Sequence, residues 1–168
     1  MRAPLVQWPA TMVIRPARMD DAEAICRIVN SYAERGLMLH LSLEQTYERL
    51  RNFLVAVAVA AEDDDVVAGC AALEMSWADL AEVRSLAVRS QYLRRGIGRR
   101  LVEAAKLDAR RLGVRRLFAL TYEVDFFRRC GFEVIEKDLL PSKVWSDCAA
   151  CPKRDACDET AMIFQLEP

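Results

Sequence analysis

No apolar run in this 168-residue chain approaches the roughly 20 residues of a membrane-spanning helix, so no membrane partner is expected. Residues 1–11 carry neither a basic start nor a long apolar stretch, and they do not read as a signal peptide. They are expected to be an N-terminal extension, with residues 12–168 forming one domain. An excess of positive charge is also missing. The 24 Lys and Arg against 25 Asp and Glu give a net charge of −1, which argues against nucleic acid as the main partner. No internal repeat and no Pro/Gly/Ser-rich linker interrupts the pattern. No Gly-Lys-Ser/Thr follows a glycine turn, and no G-x-G-x-x-G follows the first strand, so neither a Walker loop nor a dinucleotide fingerprint is present. Histidine occurs once, as His40. What remains is 53% hydrophobic and 29% charged, enough to bury a core and stay in solution.

The apolar periodicity predicts the order β-α-α-β-β-β-α-β-α-β-β, a mixed α/β sandwich with a central, mainly antiparallel sheet flanked by helices. Met12–Arg15 reads as a strand ended by Pro16. A helix follows, with Asp20 at its N-cap and Glu23 three residues on, with Ile25, Ile28, Val29 and Tyr32 facing inward and Gly36 as its stop. Ser42 with Gln45 repeats the capping box, and Leu43, Tyr47 and Leu50 are expected to form the inner stripe of that second helix. Phe53–Ala61 and Val66–Met75 are continuous apolar runs around an acidic turn, the pattern of a buried hairpin. Val83–Val88 reads as a strand, Gly96–Leu112 as a long helix stopped by Gly113, and Leu117–Thr121 as a strand. Val124–Cys130 reads as a short helix, and Phe132–Ile135 and Ala161–Leu166 as the last strands. A polar, cysteine-bearing excursion from Asp138 to Asp158 separates those two.

Charge is uneven along the chain. Residues 89–116 carry ten Arg and Lys against only Glu103 and Asp108, a local net charge of +8 on an otherwise acidic protein. That suits a small polyanion better than a long one. At its centre a strand runs into a loop, and Gly96 and Gly98 open the helix with Arg94, Arg95 and Arg99 around them. Glycines there let the backbone approach a ligand and align N–H groups, and the helix N-terminus favours an anion.

The segment AEVRSLAV followed by RRGIG resembles motif A of the GNAT superfamily of N-acetyltransferases, and FFRRCGF (Phe126–Phe132) resembles its motif B. Leu93 stands where the family usually has Gln or Arg, and Phe127 where it usually has Tyr. The pieces GLMLHLSLEQTYERLRNF, WADLAEVRSLAV, LFALTYEVDFFRRCGF and DLLPSKVWSDCAACPKRDACDETAM are similar to the short bacterial N-acetylglutamate synthases. The resemblance implies a GNAT fold, acetyl-CoA as co-substrate and transfer of its acetyl group to the α-amino group of L-glutamate. It also implies a cytoplasmic enzyme at the first step of arginine biosynthesis, and it is compatible with a homodimer. Another small amine or amino acid as acceptor, or a non-catalytic acyl-CoA sensor, are the alternatives.

The roles that follow belong to that resemblance. Glu82 is expected to be the base, and Tyr122 a candidate acid in place of the tyrosine absent at Phe127. Leu86, Ala87 and Val88 would receive the pantetheine arm through their main chain, Arg94, Arg95, Gly96, Ile97, Gly98 and Arg99 the pyrophosphate, and Phe127 would line the cofactor. Arg84, Lys143 and His40 would bind the acceptor, whose carboxylates need cations once they leave water. A basic residue is expected directly after His40, and Leu41 stands there instead. Cys26, Cys70 and Cys130 read as small packed side chains. Cys148, Cys151 and Cys157 form C-x2-C-x5-C, one ligand short of a tetrahedral zinc site, and are read as a metal site, a redox-sensitive cluster or packed thiols.

Overall fold

The two longest apolar runs become neighbouring strands with both faces covered, which is why they show no alternation. In the computed structural model, which describes residues 11–59, 66–141, 145, 149, 151–153 and 156–167, β2 is Phe53–Val59 and β3 is Val66–Trp77. The acidic turn between them lies outside the described residues. The other strands are β1 (Thr11–Pro16), β4 (Leu80–Val88), β5 (Arg116–Thr121), β6 (Glu133–Val134) and β7 (Thr160–Gln165). The helices are α1 (Ala22–Ala33), α2 (Leu43–Glu48), α3 (Ile97–Arg111) and α4 (Val124–Arg129). Their succession is the one the periodicity predicts.

One seven-stranded sheet results, in the order β1-β2-β3-β4-β5-β7-β6. Every pairing is antiparallel except β4 with β5, which run parallel because α3 carries the chain back between them. One face packs Ile25, Ile28 and Val29 of α1 on Phe53, Val55, Val57, Cys70, Ala72 and Ala87. The other face packs Leu101, Val102, Ala105 and Ala109 of α3 on Leu73, Ala81, Val83, Leu117 and Ala119. Cys70 is fully buried, and burial pushes its thiol up to about 12, so it is inert packing.

Three local expectations change. The residue that stabilises the start of α1 is Asp21 rather than Asp20, because Asp21 is tied to the sheet. Its carboxylate accepts from Arg15 of β1 at 2.6 and 3.1 Å and from the Arg18 backbone N–H at 2.7 Å. In α2 the Ser42–Gln45 capping box forms, but Leu43 and Tyr47 are exposed and Thr46 is buried in their place. A Thr can face inward there because its hydroxyl donates to the Ser42 carbonyl at 2.8 Å. β4 begins at Leu80, three residues earlier than the sequence suggests, because Leu80, Ala81 and Glu82 pair with β5.

Burial works to raise the Asp21 carboxyl, but Arg15 and the Arg18 amide overcome it and hold it below the usual carboxylate range. A carboxylate with a lowered folded-state pKa stabilises the fold above the ordinary carboxylate range and loses that effect as pH falls through the lowered value. Asp21→Asn should therefore cost about 2 kcal/mol at pH 7, in line with charged hydrogen bonds. Denaturant melts should show the gap between variant and parent closing toward pH 3. A gap that is the same at both pH values would contradict the assignment.

Candidate active site

The site begins where two strands part. β4 and β5 are in register only at Leu80 with Arg116, Ala81 with Leu117 and Glu82 with Phe118. Beyond those pairs β5 continues against β7 and β4 continues against β3. From Val83 to Val88, β4 therefore has no strand partner on its β5 side among the described residues. A bulge at Ser85 accompanies the parting. Ser85 has φ 51°, and the register against β3 moves from Ala72–Arg84 to Cys70–Ala87, so β4 gains one residue on its partner. A bulge bends its strand and changes the parity of the side chains. Arg84 and Ala87 consequently lie on the α1 side, while Leu86 and Val88 pack toward α3. The Val88 carbonyl accepts from the Tyr32 hydroxyl of α1 at 2.6 Å, which fixes the far end of β4.

The glycine turn follows directly. The Arg89 N–H closes the β3–β4 ladder on the Ala68 carbonyl at 2.8 Å, and the chain turns through Ser90–Tyr92 with Tyr92 buried. Arg94 has φ 60° and Gly96 φ 76°, so the chain enters α3 through left-handed backbone, with Gly96 as the N-cap. No side chain at the cap satisfies the first N–H groups of α3, and Ile97 anchors the turn in the core. Gly98 is needed for a different reason. A Cβ there would stand 3.3 Å from the Phe126 ring of α4. The Arg89 Nε, at the head of this turn, is buried without a hydrogen-bond partner among the described residues. An edge of free strand backbone, uncapped helix N–H groups and an orphaned guanidinium donor fit an elongated ligand that carries amides and ends in phosphate.

The basic run divides into two sets. Arg100 donates to the Met12 carbonyl, and Arg116 is paired with Asp79. Lys106 is buried, with its ammonium on Glu103, on the Cys130 carbonyl and over the Phe164 ring. Those three tie the fold together, while Arg94, Arg95 and Arg99 stay exposed around the turn. Phe127, the motif B position, is buried in an aromatic cluster with Phe126 and Phe132.

At the other end of the opening the charges meet. Glu82 is the last β4 residue paired with β5, so it marks the vertex. Arg84 Nη1 lies 3.8 Å from Glu82 Oε2 and 3.0 Å from Glu74 Oε2, and Glu74 Oε1 lies 3.3 Å from Arg49 Nη1. Arg84 and the two carboxylates are each less than one-fifth exposed. Thus the structure brings Glu82 and Arg84 together as expected, and it adds Glu74 and Arg49, which sequence reasoning missed. Counting back from the Ala78–Asp79 turn would set Met75 opposite Glu82; a register shift between Met75 and Trp77 brings Glu74 there instead, so no local signal pointed to it.

The remaining candidates are held by other contacts. Tyr122 donates to Asp158 at 2.7 Å and accepts from Lys153 at 2.8 Å, and Lys153 also reaches the Gly36 carbonyl at 3.0 Å. The Lys153 hydrogen bond works to lower the Tyr122 phenol, but desolvation and the Asp158 carboxylate outweigh it, so the phenol titrates above its usual range. These contacts tie Lys153 and Asp158 to the end of β5, and Lys153 to the α1–α2 connection. His40 is exposed, whereas Leu41 is only 7% exposed and packs in the α1-side core, so residue 41 offers no position for an acceptor-facing cation. Lys143 and Cys148 lie outside the described residues. Cys151 and Cys157 are free thiols, and among the described residues no three His, Cys, Asp or Glu side chains are grouped to hold a metal.

Gly96→Val should disturb the turn without a clash, since nothing stands within 4 Å of a Cβ there and only the left-handed backbone resists it. Gly98→Val should act through Phe126. Calorimetry with coenzyme A should show at least a tenfold weaker Kd for each variant, about 1.4 kcal/mol or more, while circular dichroism shows the fold retained. Unchanged affinity in both would remove the turn from the site.

Comparison with known proteins agrees with this geometry. The model of the acetyltransferase (GNAT) family matches residues 22–132. An uncharacterized N-acetyltransferase of Chlorobaculum tepidum is 45% identical over 94% of this chain and 98% of its own length. An amino-acid acetyltransferase of Mycobacterium tuberculosis is 37% identical over 80% of this chain and 76% of its own. N-acetylglutamate synthase of Neisseria gonorrhoeae, solved with coenzyme A and N-acetyl-glutamate, superposes with a TM-score of 0.82 at 29% identity. That likeness covers 95% of this chain and 36% of the synthase. With its splayed β4–β5 pair, its glycine turn and these relatives, the chain belongs to the GNAT family of acetyltransferases.

Proposed function

We propose that the protein transfers the acetyl group of acetyl-CoA to the α-amino group of L-glutamate, the entry reaction of arginine biosynthesis. The observation that carries this reading is the position of Glu82. It stands at the vertex where β4 leaves β5, with a guanidinium on the same face of the same strand. The amino-acid acetyltransferases among the relatives, and the neighbour solved with N-acetyl-glutamate, support the choice of acceptor.

In this reading the main chain of Leu86, Ala87 and Val88 pairs with the pantetheine arm as an added strand would. The amides that follow Gly96, with Arg94, Arg95 and Arg99, take the pyrophosphate. When bound, acetyl-CoA supplies an activated thioester carbonyl and a thiolate leaving group. Glu82 prepares the nucleophile. An α-amino group has a pKa of about 7.7–8.0 in peptides, so at neutral pH it arrives mostly protonated. The Glu82 carboxylate accepts that proton, directly or through one water, and leaves a lone pair for attack on the carbonyl carbon. The C–N bond forms, the C–S bond breaks, the sulfur leaves with the electron pair, and the nitrogen gives up its second proton to water as it becomes an amide. Tyr122, which keeps its proton well above neutral pH, is the candidate to protonate the sulfur. Arg84 holds a carboxylate of the acceptor on the same face as the base, and the resemblance assigns Lys143 and His40 to the acceptor as well.

Thiol release should be measured with a panel of free amino acids. Glutamate is expected to be the best substrate. Glu82→Gln should lower kcat by roughly 10²–10⁴-fold while acetyl-CoA affinity changes little. Arg84→Ala should raise the KM for glutamate at least tenfold, about 1.4 kcal/mol. If glutamate releases no thiol from the parent enzyme, the glutamate reading fails.

A further inference from the structure

Two carboxylates on adjacent antiparallel strands face each other here. Glu74 of β3 and Glu82 of β4 are register partners on the α1 side of the sheet. Residues opposed in this way have Cβ atoms about 4.5–5.5 Å apart, and like charges so placed repel. The structure resolves that conflict with an alternating chain of four charges: Arg49, Glu74, Arg84 and Glu82. Its links are uneven. Arg84 Nη1 makes a hydrogen bond of 3.0 Å to Glu74 Oε2 but stands 3.8 Å from Glu82 Oε2, and Glu74 is braced from behind by Arg49 at 3.3 Å. Neither Arg49 nor Glu74 belongs to the β4 segment that marks the site. Arg49 comes from the end of α2 and Glu74 from the interior neighbour of β4.

We infer that Glu74, braced by Arg49, is a positioning residue that keeps Arg84 at ion-pair distance from Glu82 rather than hydrogen-bonded to it, so that neither the base nor the acceptor's carboxylate clamp is fully engaged by the other. This rests on the roles proposed above for Glu82 and Arg84. Glu74 and Glu82 compete for one guanidinium. A guanidinium two residues from a carboxylate on the same strand face is within reach of a direct, charge-assisted pair. Such a pair would neutralise both groups. Glu82 would lose basicity toward the acceptor's ammonium, and Arg84 would have one fork fewer for the acceptor's carboxylate. A second carboxylate, on the side of Arg84 that faces β3, draws the guanidinium to itself. Arg49 offsets the repulsion that would otherwise move Glu74. Among the described residues, the charged groups placed against Glu82 from its own strand and from β3 include Arg84 and Glu74, with Arg49 behind Glu74. The register partner of Glu82 on β5, Phe118, is uncharged.

Two measurements test this, and one needs no substrate. A crystal structure of Glu74→Gln should show Arg84 moved onto Glu82, with the 3.8 Å separation closed to about 2.8 Å, the length of a charge-assisted pair. In thiol release at saturating acceptor, Glu74→Gln should lower kcat about tenfold. The double variant Glu74→Gln/Arg84→Ala should be several-fold faster at saturating acceptor than Glu74→Gln alone, while its KM stays as high as that of Arg84→Ala alone. A residue that merely supported the fold would give a double variant no faster than the single one. Arg84 unmoved in the crystal, or no recovery in the double variant, overturns the inference. A parent enzyme that acetylates a neutral amino acid but not glutamate would overturn the proposed acceptor instead, and the kcat recovery is then read with that amino acid.

Discussion

The short pairing of β4 with β5 is the constraint on which the site depends. Three residue pairs hold these strands together, and beyond Glu82 the strands separate. Parallel strands joined through a helix would ordinarily continue their ladder, and buried backbone groups left unpaired are costly. The fold meets this constraint from three sides. The bulge at Ser85 bends β4, the Tyr32 hydroxyl takes the Val88 carbonyl, and β3 pairs the other edge along the whole strand. What stays available is a strip of strand backbone that a ligand with amides of its own can complete. The parting also sets the chemistry, because it leaves Glu82 at the point where strand ladder gives way to opening.

Charge is distributed along that opening with a similar economy. At the turn, the exposed arginines and the uncapped N-terminus of α3 provide positive potential where phosphate is expected. At the vertex, two arginines and two glutamates alternate, so the local charge is close to balanced before an acceptor arrives. An amino acid brings both signs and needs both kinds of group. Buried or partly buried charges are tolerated only when paired, and the pairing here doubles as orientation. Lys153 joins the Tyr122 hydroxyl to the Gly36 carbonyl and so ties the end of β5 to the α1–α2 connection.

Much of this was legible in the sequence because it is local. The apolar runs at Phe53 and Val66, the Ser42–Gln45 box and the Gly96–Gly98 turn each carry their cause within a few residues. So does the Glu82–Arg84 spacing, since side chains two apart on a strand share a face. What escaped is tertiary. Asp21 outranks Asp20 only because Arg15, on another element, reaches it. Thr46 turns inward in a helix of six residues, too short for apolar periodicity to outvote one hydroxyl bonded to the preceding turn. The Ser85 bulge has no glycine or proline to announce it. Glu74 and Arg49 join the site through register and helix placement, which composition does not encode. Leu41 looked like a lost cation, yet the position is a core position.

The central claim is that the β4–β5 opening holds acetyl-CoA along β4 and delivers it to an amino acid at Glu82. A crystal structure of the protein with coenzyme A and N-acetylglutamate tests it most directly. The account predicts pantetheine amides paired with the main chain of Leu86–Val88, pyrophosphate on the amides that follow Gly96, the acetamido nitrogen beside Glu82 and a carboxylate on Arg84. Coenzyme A bound outside the opening, or N-acetylglutamate bound away from Glu82 and Arg84, would contradict it.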